Sequence, residues 1–285
     1  MPLVLVPTPL GNLRDVTLRA LDVLREADAI VAEDTRVARR LLAALGIAGR
    51  QLIGYREQNA AAMTGRILEA ARSGLVAVTC DAGMPGISDP GAELVTAARA
   101  AGVAVEVLPG PTAAFGVAAL SGFPLRRFRF EGFPPRTTRA RREALADALD
   151  ESATCVWFES PQRIRATLSD LAAVAPDARV FLVREYTKLH EQHALGRPDE
   201  VAAQLADPVR GEIAFAIAPY RAERAETGLD ADAAIDALLA QNRRAGDIAK
   251  TLARAGFGSR PELYARVTER KSGKGREEST ESRRP

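Results

Sequence analysis

The chain has 285 residues, 47% of them hydrophobic and 27% charged, and a net charge of +2. That length exceeds one small domain and suits two, with apolar residues enough for substantial cores. No apolar run approaches the ~18–20 residues of a membrane helix, and no basic segment precedes the first apolar run as in a signal peptide. Cys80 and Cys155 are too few for a disulfide framework and lie in or beside apolar strands, so buried inert thiols and a reducing cytoplasm are expected.

In chain order, short apolar runs at 3–6, 29–32, 51–54, 75–79 and 103–107 read as strands. Amphipathic runs at 17–27, 35–45, 58–72 and 90–101 read as the helices between them. This punctuation implies a mostly parallel sheet. A helix over 112–121 ends at Gly122, Phe123 and Pro124, where a domain boundary is placed. A second unit, 123–220, has strands near 128–131, 154–158, 179–184, 189–195 and 212–217 and helices near 137–149, 161–174 and 198–206, which suggests a mixed sheet. Composition changes at 219–228, and a helical module over 229–270 follows, with helices at 231–240, 245–255 and 261–270. Its 246–260 stretch reads as a helix-turn-helix, and Ser259-Arg260-Pro261-Glu262 as a capping box. The tail 271–285 has no apolar anchor and is expected to be disordered.

Three loops after strands are rich in glycine and proline: 7–13, 81–91 and 109–112. Open α/β sheets bind small ligands at the carboxyl ends of their strands. Glycine lets backbone approach a ligand, and proline stiffens the loop. In the second loop Asp89 is expected to cap the following helix, with Pro90 as its first residue. None of the three is a G-x-x-x-x-G-K-[ST] or G-x-G-x-x-G motif.

The ordered set Val6-Pro7-Thr8-Pro9-Leu10-Gly11-Asn12-Leu13, Ala32-Glu33-Asp34-Thr35-Arg36, the 81–91 loop, Leu108-Pro109-Gly110-Pro111, Glu131-Gly132-Phe133, Glu159-Ser160-Pro161 with Arg163, and Arg184-Glu185 with Thr187-Lys188 resembles the tetrapyrrole-methylase-fold methyltransferases. The likeness runs from about residue 3 to about residue 217, with Met84 standing where a small polar residue is the pattern. The resemblance implies two α/β domains with a cofactor cleft between them, S-adenosyl-L-methionine as methyl donor and a homodimer. It is nearest to the branch that methylates a cytidine 2'-oxygen in the 16S rRNA of the small ribosomal subunit. On the matching loops it places cofactor-binding residues at Pro9, Gly11, Asp81, Ala82, Gly83, Pro85, Gly86, Thr112, Ala113, Phe158 and Glu159.

A ribose 2'-hydroxyl is a poor nucleophile and needs a nearby base or cation to lose its proton. Lys188, with a depressed pKa, is one candidate; it stabilises the alkoxide or takes the proton, while Glu33 or Asp34 fixes the ribose. The plainer reading makes Asp34 a helix cap and Lys188 a phosphate contact. His190 and His193 have no further ligands at recognised spacing, so no metal is expected.

Charge is uneven. Residues 126–142 carry seven arginines against one acid, and 241–285 carry twelve bases against six acids. Arg136, Arg139, Arg141 and Arg142, with Arg36, are the expected RNA contacts. Phe128 and Phe130, alternating with arginines, are read as core. Two other functions stay open at this point: methylation of a tetrapyrrole ring, and a non-catalytic RNA-binding assembly factor.

Overall fold

The computed structural model describes residues 2–149, 152–220, 231–241, 243–255 and 257–281. Residues Met1–Pro219 form one compact unit and Tyr220–Pro285 a second.

The first sheet of the larger unit holds β1 (Leu3–Leu5), β2 (Ala29–Ala32), β3 (Gln51–Gly54), β4 (Val76–Thr79) and β5 (Val105–Val107), in the order β3-β2-β4-β1-β5. Every pairing is parallel. Strands β1, β2 and β4 are buried along their whole length, as continuous apolar runs in a sheet covered on both faces should be. Successive side chains point to opposite faces. Leu3 and Leu5 therefore join Val31 and Val78 on one face, under α3 (Ala60–Ser73) and α4 (Gly91–Ala100). Val4 and Val6 join Ile30 and Ala77 on the other, under α1 (Leu18–Glu26) and α2 (Thr35–Ala44). Each fully buried Leu or Ile there is worth about 1.5–3 kcal/mol of transfer free energy.

The second sheet holds β6 (Phe128–Gly132), β7 (Thr154–Glu159), β8 (Val180–Arg184), β9 (Gln192–Gly196) and β10 (Ile213–Ile217), in the order β6-β7-β10-β8-β9. Only β6 and β7 pair in parallel; the other pairs are antiparallel, so the sheet is mixed as expected. Around it lie α5 (Ala113–Leu120), α6 (Thr138–Ala148), α7 (Ile164–Val174) and α8 (Pro198–Gln204).

The boundary placed at Gly122 leaves α5 with the first sheet, but Ala114, Val117 and Ala118 of α5 pack on Val156, Phe181, Ala214 and Ala216 of the second. Its sequence, Ala-Ala-Phe-Gly-Val-Ala-Ala-Leu, has no polar face to mark which sheet it covers. Phe128 and Phe130 pack against this same core, half-buried.

The smaller unit has α9 (Ala231–Leu239), α10 (Ala245–Arg254) and α11 (Arg260–Glu281), with its own core of Ile235, Ile248, Leu252, Leu263 and Val267. The expected capping box is present: Glu262 N donates to Ser259 Oγ at 3.4 Å, and Ser259 N donates to Glu262 Oε2 at 3.2 Å. One expectation fails here. The segment 271–281, read as disordered, continues α11 as helix, and the last four residues lie outside the described residues. The segment has no proline to stop the helix, and its Lys, Arg and Glu residues are good helix formers.

Candidate active site

A cavity of about 480 Å³ opens at the carboxyl ends of the first sheet's strands, within the size range of small-molecule sites. Leu10 after β1, Glu33 after β2, the loop after β4 and Thr112-Ala113 after β5 form one wall. Phe158-Glu159-Ser160-Pro161, Val183, Tyr186 and 211–214 form the other, from the second sheet. Of the expected cofactor residues, Asp81, Ala82, Gly83, Thr112, Ala113, Phe158 and Glu159 line it, whereas Pro9, Gly11, Pro85 and Gly86 do not.

The loops are held by backbone pairing. Thr8 N donates to Gly83 O at 2.9 Å and Gly83 N to Thr8 O at 3.0 Å, which ties the first loop to the second. Gly83 has φ +82°, where a side chain is strained, and a Cβ there would lie 3.0 Å from Leu10 Cδ2. Asp89 is not the helix cap; Pro90 holds that position. The Asp89 carboxylate instead accepts from Gly86 N at 2.9 Å and Gly91 N at 2.7 Å, closing the loop on itself. Gly11 has a different role from backbone approach to a ligand: a side chain there would collide with Lys188 Cγ. Gly116 likewise leaves room for the Tyr186 ring against α5, and Tyr186 lines the cavity.

Carboxylates concentrate at the cavity floor. Burial, followed by the negative charges of Asp81 and Asp89, pushes the Glu33 carboxyl above its ordinary 4.5. Burial also raises Asp81, whose Oδ1 accepts from Asp34 N at 3.1 Å. Asp34 is the N-cap of α2 and accepts from Arg36 N at 2.8 Å. Hydrogen bonds from Arg36, side chain first, hold its carboxyl far below the usual carboxylate range. Asp34 therefore faces away from the cavity chemistry, and Glu33 faces into it. Arg56 fixes both neighbours: Nε donates to Glu33 O at 2.8 Å, and Nη2 lies 3.1 Å from Asp34 Oδ2. The Cys80 thiol, also on the cavity wall, is pushed up to about 12 by burial and is inert, as expected of a buried thiol.

Lys188 does not have the depressed pKa expected of a base. Burial pulls its pKa down, but the ion pairs with Glu185 Oε1 at 2.9 Å and Glu212 Oε2 at 3.1 Å outweigh it, and the net shift is upward. It is a fixed cation beneath Glu212, which itself lines the cavity. Glu185 and Thr187 sit at φ 56° and 65° in the same loop, strained backbone of the kind found at functional sites.

The basic block also changes meaning. Arg141 is buried, with Nε 2.7 Å from Asp170 Oδ2, and cannot reach a phosphate. Its neighbour Arg142 shares the same carboxylate through Oδ1 at 2.7 Å, and Arg139 pairs with Glu143 at 3.4 Å. Arg136 is exposed. Glu159, expected to touch cofactor, spends its carboxylate on its neighbours, accepting from Ser160 N at 2.8 Å and from Thr167 Oγ1 of α7 at 2.6 Å, with Arg163 Nη2 at 3.1 Å.

Sequence reasoning missed Glu212, Tyr186 and Phe133. Tyr186 and Phe133 stood inside or at the end of motifs already singled out without being given a role; exposed Phe133 has its ring 5.8 Å from Phe158. Glu212 immediately precedes β10, with no local signal of a role.

The profile of the family described as Tetrapyrrole (Corrin/Porphyrin) Methylases matches residues 2–202. The chain belongs to that family. Within the methylase family, it is 44% identical over 199 residues to a Thermotoga maritima protein named ribosomal RNA small subunit methyltransferase I, covering 70% of this chain and 89% of that one. A Streptococcus pyogenes serotype M1 protein of the same name is 39% identical over 268 residues, covering 92% of this chain and 93% of that one. Among solved structures, uroporphyrin-III C-methyltransferase of Thermus thermophilus, complexed with S-adenosylhomocysteine, superimposes with a TM-score of 0.53 at 22% identity, covering 76% of this chain and 97% of that one. It shares the fold of this tetrapyrrole methylase.

Proposed function

We propose that the protein transfers the methyl group of S-adenosylmethionine to the 2'-oxygen of a cytidine in small-subunit ribosomal RNA. The observation that carries this reading is the match to a protein named for that RNA over 92% of the chain, whereas the uroporphyrin methylase spans 76% of it. A methylase of a small ring acid has no stated use for the remaining helical unit, and a non-catalytic factor has none for an acidic, built cavity.

The cavity fits the donor. A sulfonium is cationic, and Glu33, Asp81 and Glu212 supply negative charge around it. The donor's own carboxylate is matched by the N-terminus of α5 at Thr112-Ala113, where no side chain caps the free N–H groups. Bound there, the sulfonium supplies an electrophilic methyl and leaves as a neutral thioether.

The chain's work is orientation and proton removal. Glu33 is the proposed base: it lines the cavity, its raised pKa brings it toward neutrality, and Arg56 holds its backbone. As the C–O bond forms and the C–S bond breaks, the 2'-hydroxyl proton passes to the Glu33 carboxylate. Lys188, which does not itself line the cavity, keeps Glu212 in place. Of the expected cofactor residues, Asp81, Ala82, Gly83, Thr112, Ala113 and Phe158 remain proposed contacts; Gly86 and Pro85 shape the loop. A homodimer and a cytoplasmic location belong to the same reading. Among the described residues no helix is long and apolar enough to cross a membrane.

Glu33→Gln keeps the shape and removes the base. Single-turnover methylation should fall by about 10²–10⁴-fold with donor affinity retained. A loss below about tenfold at saturating RNA takes Glu33 out of proton transfer.

A further inference from the structure

A second concavity, of about 590 Å³, lies on the surface over α2 and is lined by Asp34, Arg36, Arg39, Arg40 and Ala43. Arg36, Arg39 and Arg40 are spaced i, i+3, i+4 and so share one helix face. All three are exposed. The helix carries no acid to offset them. Asp34 at its start is already committed to Arg36 at 2.6 Å and to Arg56 at 3.1 Å. Arg39 and Arg40 have no carboxylate partner among the described residues. In the block at 126–142 four of the seven arginines are ion-paired, Arg129 with Glu131, Arg139 with Glu143, and Arg141 and Arg142 with Asp170, whereas Arg126, Arg127 and Arg136 are exposed without a carboxylate partner among the described residues but do not adjoin Glu33 in the chain.

We propose that the arginine face of α2 is the docking site for the RNA phosphates that flank the target ribose. This rests on the RNA-methylation reading and says where the substrate strand runs. Glu33 and Asp34 are consecutive residues, their Cα atoms about 3.8 Å apart. Glu33 lines the donor cavity, and Asp34 lines the concavity over α2. The chain between β2 and α2 is thus a ridge with the proposed base on one side and arginines on the other. In RNA the carbon bearing the 2'-oxygen is bonded to the carbon bearing the 3'-phosphodiester. A strand that offers its 2'-oxygen to Glu33 therefore carries phosphate close to that ridge, and α2 is the adjoining cationic surface. Guanidinium groups suit this task because their forked donors match phosphate oxygens. A free ring substrate carries no phosphodiester, so only a nucleic-acid strand ties these residues to the position of a 2'-oxygen.

The test is the double charge reversal Arg39→Glu/Arg40→Glu, assayed on unmethylated small-subunit ribosomal RNA with S-adenosylmethionine. KM for RNA should rise by about tenfold or more, with kcat at saturating RNA within about twofold of wild type. The slope of log affinity against log salt should become shallower by about 1.4, as for two lost phosphate contacts to a single strand. Donor affinity, measured by calorimetry, should be unchanged, and Arg39→Lys/Arg40→Lys should recover most of the RNA affinity. Should the reversal fail to bind donor, Arg39→Gln/Arg40→Gln is read in its place. Unchanged KM and salt slope in a donor-binding variant would overturn the α2 surface while leaving RNA methylation standing. A wild-type protein that methylates no RNA would overturn the reading beneath it, and this proposal with it.

Discussion

Glu33 and its neighbour Asp34 show how far burial separates two adjacent acids. Arg36 holds Asp34 ionised, whereas burial and the nearby Asp81 and Asp89 make the charge on Glu33 costly. The consequence for stability has a definite sign. A carboxyl whose folded pKa lies above its unfolded value stabilises the fold below the unfolded value, and that contribution is lost as pH rises through the folded pKa. Glu33→Gln, always neutral, should therefore be more resistant to urea than wild type at pH 7. The difference should vanish as pH falls below the ordinary 4.5. Equal urea midpoints at pH 7 would contradict the unfavourable setting assigned to Glu33. The strand-end position of Glu33 and the capping chemistry of Asp34 were legible in the sequence, because both follow from residue type next to a strand. The rise at Glu33 was not, because it comes from burial and from Asp81 and Asp89, which are distant in the chain, whereas the lowering at Asp34 comes from its near neighbour Arg36. Lys188 failed as a base because two carboxylates hold its charge: Glu185, three residues away, and Glu212, 24 residues away, the second with no sign in the local sequence.

At the scale of elements, strand positions and the parallel-then-mixed sheet order could be read from apolar runs and their punctuation. Side-chain direction within a charged helix could not. The seven-arginine block looked uniform, yet α6 turns Arg141 inward onto α7, where Asp170 takes both Arg141 and Arg142. Both Arg141 and Asp170 are buried, at 5% and 3% exposure. Removing one member of such a pair leaves a charge without compensation in the interior. Asp170→Ala should lower stability by about 3–5 kcal/mol in chemical denaturation, whereas replacing both Arg141 and Asp170 by apolar residues of similar volume should recover most of it. A loss under about 1 kcal/mol would place Arg141 back at the surface, available to RNA. The placement of α5 was equally hidden, since an apolar helix with no polar stripe gives no direction.

For the molecule as a whole, the three glycine-proline loops and the residues at the ends of β2 and β7 converge on one cavity although they are far apart in sequence. For the loops of the first sheet that convergence was legible because parallel strands put all their carboxyl ends at one edge, whereas the end of β7, in the other sheet, was placed there by the family resemblance alone. What the second sheet adds to the cavity, Val183, Tyr186 and 211–214, was not legible, because it rests on long-range contacts between loops, such as Asn12 N donating to Thr187 Oγ1 at 3.3 Å. The central claim is that this cavity methylates a ribose oxygen of small-subunit RNA. It is tested most directly by incubating the protein with unmethylated small-subunit ribosomal RNA and methyl-labelled S-adenosylmethionine, then digesting to nucleosides for mass spectrometry. The account predicts label in 2'-O-methylcytidine with the wild-type protein and near-background label with Glu33→Gln. Label on a base, or no transfer to RNA by the wild-type protein, would contradict it.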